Sequence, residues 1–138
     1  MNVVINAEDK VLGRMAAYAA KQAMNGNKVD IVNCEKAVVT GSRQSVFSDY
    51  KRKRSMGVPK KGPFFPRHPE RIVRRTIRGM LPYKGSRGKE AFGNVKCHVG
   101  LPKEFDGKKQ LEMPNTDISK LKNLKFVYIH EISKELGA

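Results

Sequence analysis

Apolar residues enter this chain in short runs separated by polar punctuation. "VVIN" at 3 to 6 opens with three β-branched residues and reads as a strand. From about Val11 to Asn25 the spacing becomes helical: Leu12, Met15, Ala16, Ala19 and Ala23 share a face, Asp9 stands where a cap belongs, and Gly26 closes the run. The small alanines let such a helix lie close to a sheet. Two further strand-like runs follow, "VDIVN" at 29 to 33 and "AVVTG" at 37 to 41. Strand, helix, strand with short apolar strands predicts a βαβ unit in a parallel or mixed sheet, and hence an α/β fold.

Beyond Thr40 the pattern changes. A second helix is predicted from Ser42, its candidate cap, with Val46, Phe47 and Tyr50 on one side before "KRKR" at 51 to 54. The free amides at its start, beside Arg43, suit an anion. Residues 55 to 69 hold four of the seven prolines, two glycines and little to build a core, so they read as an extended basic Pro/Gly-rich arm that orders against a partner. "PERIVRRTIRGMLP" then returns to a helical wheel. Ile72, Val73, Ile77, Met80 and Leu81 fall in one half, while Arg71, Arg74, Arg75 and Arg78 occupy an arc of ~100° on the other and are expected to point away from the domain. Pro69 fits a first helical turn and Pro82 ends the run. "YKGSRGK" from Tyr83 to Lys89 reads as a glycine-rich basic loop, "NVKCHVGLP" at 94 to 102 as a strand and turn, and the stretch to Asn123 as polar loop. "KFVYI" at 125 to 129 reads as a buried strand, and "HEISKELG" as a terminal helix closed by Gly137.

Composition sharpens this picture. The 138 residues, 39% hydrophobic, fit one domain with one core. The formal charge of +15 is far above the magnitude of about 2 to 8 that keeps a small domain soluble. Fifteen of the 28 basic residues but only two of the 13 acids, Asp49 and Glu70, lie between Arg43 and Lys89, which leaves that stretch at +13 and the rest near +2. A nearly neutral scaffold, residues 1–42 and 90–138, thus carries a cationic middle, residues 43–89, whose arm is 55–69. Charge so segregated implies a polyanionic partner.

Several partners are disfavoured. No apolar run approaches the ~20 residues of a membrane span, the N-terminus lacks the pattern of a secretory signal, and a membrane-surface helix would want interfacial aromatics in a chain with no Trp, so a cytoplasmic location is expected. Cys34 and Cys97 lie too far apart for metal-ligand spacing, and His98 beside Cys97 does not complete a site; no metal or cofactor is expected. "VVTGSRQ" resembles a nucleotide-binding turn but lacks the glycines of a dinucleotide fingerprint and the ending of a Walker loop. With no triad or paired carboxylates either, no catalytic residue and no small-molecule substrate are assigned, and a nucleotide-binding α/β enzyme remains an alternative reading.

RNA fits best. The candidate contacts are Arg43, the run Lys51, Arg52, Lys53 and Arg54, then Lys60, Lys61, Arg67 and His68 of the arm, Arg71, Arg74, Arg75 and Arg78 of the helix, and Lys84, Arg87 and Lys89 of the loop. Guanidinium forks match phosphates, and Gly79 and Gly85 offer close backbone approach or plain turns. Phe64, Phe65 and Tyr83 are candidates for stacking on unpaired bases, with packing under the arm as the alternative. No helix-turn-helix, zinc finger or basic zipper favours DNA.

Taken in order, "VLGRMAAYAAK", "VDIVNCEKAVVTG", "RTIRGMLPYKGSRGKEAF" and "VKCHVGLP" resemble the ribosomal protein thirteen family of the large ribosomal subunit, over nearly the whole chain. The resemblance implies a structural constituent that binds large-subunit ribosomal RNA beside neighbouring ribosomal proteins and supports assembly. It also implies a compact α/β domain with a central, mainly parallel sheet flanked by helices. The arm "GPFFPRHPERI" and the absence of a long C-terminal extension look archaeal. Asn6 stands where the family commonly has Asp, which puts any salt bridge there in doubt. Messenger RNA is a further partner associated with the family, and a free regulatory messenger-RNA-binding protein is a second alternative; nothing in these residues separates it from ribosomal RNA binding.

Overall fold

The computed structural model describes residues 2–122 and 125–137. The order of elements is β1 (Asn2–Asn6), α1 (Leu12–Met24), β2 (Lys28–Val32), β3 (Val38–Thr40), α2 (Arg43–Ser55), α3 (Pro69–Gly79), α4 (Ser86–Gly93), β4 (Val95–Cys97), β5 (Phe126–Tyr128) and α5 (Ile129–Glu135). β1 and β2 pair in parallel from Asn2↔Lys28 to Asn6↔Val32, joined by α1 as the crossover, and β4 adds in parallel on the far side of β2 with Val29 opposite Val95. Alternation decides what each face of this sheet meets. Ile5, Val29, Ile31 and Val95 face the main core, where α1 lays down Leu12, Met15, Ala16 and Ala19 and α3 lays down Ile72, Val73 and Ile77. Val4 and Val32 face the other way and meet Phe105, carried on a short 3-10 turn. Beside them the Asp30 carboxylate accepts from His98 Nε2 at 3.1 Å, with the imidazole tilted over Phe105.

β3 does not join this sheet. It pairs antiparallel with β5, Val38 opposite Tyr128 and Thr40 opposite Phe126, and an isolated parallel bridge joins Val38 to Val11, the residue before α1. The βαβ expectation therefore holds for β1, α1 and β2, and β3 opens a second, two-stranded ribbon that launches α2 and, through β5, α5.

Two other expectations are corrected. Asp9 does not cap α1: it sits at φ 57° and its carboxylate accepts from the Tyr128 hydroxyl at 2.9 Å, while Val11 occupies the cap position and hydrogen-bonds through its amide to the Thr116 carbonyl. "SRGK" is not loop but the first turn of α4, with Gly85 as its cap residue. Other features stand as read: Ser42 accepts from the Ser45 amide at the start of α2, Pro69 begins α3, and Gly137 follows α5 at φ 93°. Asn6 shows why an amide suffices there, since its Oδ1 accepts from both the Glu8 amide and the Asn33 side chain. The polar loop read up to Asn123 contains two 3-10 turns, and Asn123 itself lies outside the described residues.

Packing explains the glycine inside α4. An added Cβ at Gly88 would lie 1.8 Å from the Pro82 carbonyl oxygen, so α4 can approach the end of the preceding segment only because that position is bare. Gly79, at the end of α3, has nothing within 4 Å of where a Cβ would sit and no positive φ. Gly88→Ala is therefore expected to lower stability by about 1–3 kcal/mol despite alanine's better helix propensity. Gly79→Ala is expected to be neutral or slightly stabilising. Thermal unfolding of the two variants beside the wild type measures the contrast; equal behaviour would contradict the packing account.

Candidate nucleic-acid interface

α3 supplies the centre of the basic surface. Its apolar face is pinned by Ile72, Val73 and Ile77, all buried, so its arginines are forced to the periphery, and Leu81 is buried just beyond it while Met80 is exposed. The four arginines nevertheless differ. Arg74 turns along the domain: its Nε donates to the Val95 carbonyl at 3.1 Å, an Nη donates to the Phe92 carbonyl at 3.2 Å, and its guanidinium lies 3.9 Å over the Phe92 ring. The reason lies in the sheet. Within β4 and its flanks the Asn94 carbonyl and the His98 amide serve β2, so the Val95 carbonyl faces the open edge and needs a donor from elsewhere. Arg74 supplies it, and the expectation that all four arginines point away is corrected for this one.

Arg75 donates to the Phe64 carbonyl at 2.9 Å and sits 5.1 Å over the Phe65 ring. Arg54, from the end of α2, donates to the Phe65 carbonyl. Two successive carbonyls of the Pro-rich segment are thus held by two arginines from different helices. Phe65 goes inward, edge-on to Tyr50 at 5.7 Å and packed against the core, with the Lys53 ammonium above it. Burial raises the Tyr50 phenol above its ordinary pKa, helped by the Asp49 charge. The arm is therefore not extended and free along its length. Residues 57–62 close a tight exposed turn, in which Val58 and Gly62 exchange backbone hydrogen bonds and Lys60 and Lys61 are exposed. From Phe64 to Arg67 the chain lies against the domain, where the Ser133 hydroxyl donates to the Arg67 carbonyl at 2.6 Å. Arg67 and His68 are exposed.

α2 carries its cations in pairs with acids. Arg43 meets Glu131 at 3.1 Å and Lys51 meets Glu135 at 2.6 Å, both across to α5, while Arg52 and Lys53 share Asp49 within their own helix. Arg52 and Lys53 hold the Asp49 carboxyl below its usual range, and Lys51 does the same for Glu135. Exposed pairs of this kind contribute ~0–1 kcal/mol, so a phosphate can replace any of the three acids at small cost. Arg43 and Arg54 stand at opposite ends of a helix of 13 residues, so Arg43 is some distance from the α3 cluster.

Arg71, Arg75 and Arg78 surround a hollow of about 240 Å³ that Phe64, Pro66 and Phe92 complete. Arg78 also lies 4.9 Å over the Tyr83 ring, which ties the turn bearing Lys84 to the end of α3. Arg87 and Lys89 project from the first turn of α4. Among the described residues the side chains of Lys60, Lys61, Arg71, Lys84, Arg87 and Lys89 have no hydrogen-bond, ion-pair or ring partner within the protein. Phe92 is the member that sequence reasoning missed, because it belongs to a helix read partly as loop; the only signal for it is its place after "KEA", where a helical continuation of α4 was available.

Other candidate chemistry is structural. Cys34 is buried and donates to the Ile31 carbonyl, and the neighbouring Cys97 thiol together with burial pushes its pKa far up, which makes it an unreactive packed group. Among the described residues no three His, Cys, Asp or Glu side chains are grouped to hold a metal, and no helix is long and apolar enough to cross a membrane. Thr40, Gly41 and Ser42 of "VVTGSRQ" form the exit from β3 and the cap of α2.

A family model described as ribosomal protein L13 matches residues 1–104. Among curated proteins the chain is similar to the large ribosomal subunit protein uL13 of Methanococcoides burtonii, 42% identical over 98% of this chain and 97% of that protein. The same-named protein of Archaeoglobus fulgidus is 44% identical over 97% of this chain and 86% of its own length. That of Methanococcus maripaludis is 45% identical over 99% and 98%. These archaeal proteins accord with the branch that the arm pointed to.

The geometry divides the arginines into staples and free ends. In the protein without nucleic acid, Arg74→Gln is expected to lower stability by about 1–3 kcal/mol, because the Val95 and Phe92 carbonyls lose charge-assisted donors. Arg71→Gln, with no partner to lose, is expected to change it by less than about 0.5 kcal/mol. Chemical denaturation of the two variants is the check, and an unchanged midpoint for Arg74→Gln would return that residue to the outward-pointing set.

Proposed function

The chain belongs to the ribosomal protein L13 family, and from that premise we propose that it is a structural constituent of the large ribosomal subunit, in the cytoplasm, that binds large-subunit ribosomal RNA and supports assembly. The observation that carries the RNA part is the set of exposed cations without an internal partner, Arg71, Lys84, Arg87 and Lys89, around and beyond an α3 whose position is fixed by a buried apolar face. Unpaired guanidinium and ammonium groups on a rigid element are pre-organised for phosphates. The α2 cations form a second tier that exchanges Asp49, Glu131 and Glu135 for phosphate. Lys60 and Lys61, at the tip of the turn, and Arg67 with His68 beyond it extend the surface along the Pro-rich strap of residues 55–69. Neighbouring ribosomal proteins are proposed partners on the less basic scaffold side.

The mechanism is electrostatic positioning. Each phosphate neutralised releases condensed counterions, so affinity depends steeply on salt. Relief of the +13 repulsion in the middle region adds to the same term. Messenger RNA gains no separate support from any residue or relative and is not part of the proposal.

If about eight phosphates are neutralised, log affinity for ribosomal RNA should fall against log salt with a slope of about −6 to −7. Filter binding or anisotropy between low and moderate salt reads it, and a slope near zero would remove the electrostatic account. The role itself is tested by sedimenting a native lysate through a sucrose gradient: this chain should appear at one copy per large-subunit RNA and persist through a high-salt wash. A peak among free proteins would overturn it.

A further inference from the structure

The hollow beside α3 is shaped for something more particular than a phosphate. Two of its walls are aromatic. Phe64 is 67% exposed, the most open large apolar side chain in the described structure, and Phe92 lines the same hollow with the Arg74 guanidinium stacked on its ring. The exposed ring is also held in place: its own carbonyl is bonded by Arg75, and an added Cβ on Gly62 would lie 2.9 Å from its Cδ2, so the bare glycine lets the ring fold back over the turn. Apart from that turn, the ring is open to water and has no aromatic or cationic partner among the described residues. Its volume, about 240 Å³, is below the roughly 300–1,000 Å³ of sites for whole small molecules.

The polar lining is one-sided. Arg71 and Arg78 line it with N–H donors, no acidic side chain lines it, and the carbonyls of two lining residues, Phe64 and Phe92, already accept from Arg75 and Arg74 respectively. We propose that this hollow binds one unpaired nucleotide, its base stacked on Phe64 and its phosphate or keto oxygens taken by Arg71 and Arg78. A lining rich in donors favours uracil, whose edge carries two keto oxygens and no amino group, over cytosine, whose amino group would find no acceptor there. This inference rests on the RNA-binding reading and adds to it a stacking subsite, with a preference the phosphate contacts alone do not have.

The test compares a ten-nucleotide uridine oligomer, a cytidine oligomer of the same length and a fully paired ten-base-pair RNA duplex, by fluorescence anisotropy at one fixed low salt. Phe64→Ala should weaken uridine-oligomer binding roughly 5- to 100-fold, the loss of one stacked base, and duplex binding less than about 2-fold. Phe64→Tyr should bind as the wild type does, and the wild type should prefer the uridine to the cytidine oligomer by about 5-fold. Equal weakening toward single strand and duplex, or none toward the single strand, would overturn the subsite while leaving the electrostatic reading intact. Failure of the wild type to bind any of the three RNAs would overturn both. Should Phe64→Ala lose its fold, photo-crosslinking of the wild-type chain to an oligomer carrying 4-thiouridine decides instead: adducts on Phe64 or Phe92 support the subsite, and adducts confined to other segments refute it.

Discussion

A guanidinium bonded to a main-chain carbonyl is the contact on which the basic half of this protein depends. Arg74 closes the open edge of β4 at Val95, while Arg54 and Arg75 hold the consecutive carbonyls of Phe65 and Phe64. Each bond satisfies an oxygen that no regular element serves, and each fixes a cation with it. Lysine would do this poorly, because one ammonium cannot span two carbonyls while lying flat on a ring as Arg74 does on Phe92. The same residue type thus fastens the strap and supplies the charge around it.

Such a surface must survive its own repulsion before any polyanion arrives. Three acids manage part of this: Asp49 within α2, and Glu131 and Glu135 reaching across from α5. Both α5 acids sit on a helix launched by β5, whose antiparallel pairing with β3 sets α5 beside α2. The two-stranded ribbon is a small element with an electrostatic consequence, since it carries counter-charges to the helix that follows its other strand. These pairs are exposed and weak, which suits acids that are to be exchanged for phosphate.

Much of this was readable in the sequence because local patterns decide it. β1, α1 and β2 follow from β-branched runs and the Leu12, Met15, Ala16, Ala19 spacing; the Ser42 cap and Pro69 start follow from side-chain chemistry within one turn. What escaped depends on distant partners. Asp9 looks like a cap until Tyr128, over a hundred residues away, offers it a hydroxyl. "YKGSRGK" has the composition of a loop, and only the close approach to Pro82 explains a helix with Gly88 inside it. A helical wheel told which side Arg74 occupies and nothing of the Val95 carbonyl waiting there. Proline and glycine content predicted a free arm, whereas Phe65 finds Tyr50 and ties half of that segment down. Of the proposed contact residues, the sequence named the cations and missed Phe92.

The order of strands in the parallel sheet carries a consequence for how the chain emerges during its own synthesis. β2 lies between β1 and β4, and β4 is encoded after the entire cationic middle. A nascent chain therefore exposes every one of those cations, and the unpaired outer edge of β2, before Val95–Cys97 can close the sheet and give Arg74 its carbonyl. Throughout that interval it is both a polycation and an open strand edge, the two features most prone to stray association. Completion of β4 ends the second hazard and not the first: the strand edge closes at Val95–Cys97 while Glu131 and Glu135, the acids that meet Arg43 and Lys51, are still to be made, so the chain remains a polycation after its parallel sheet is whole.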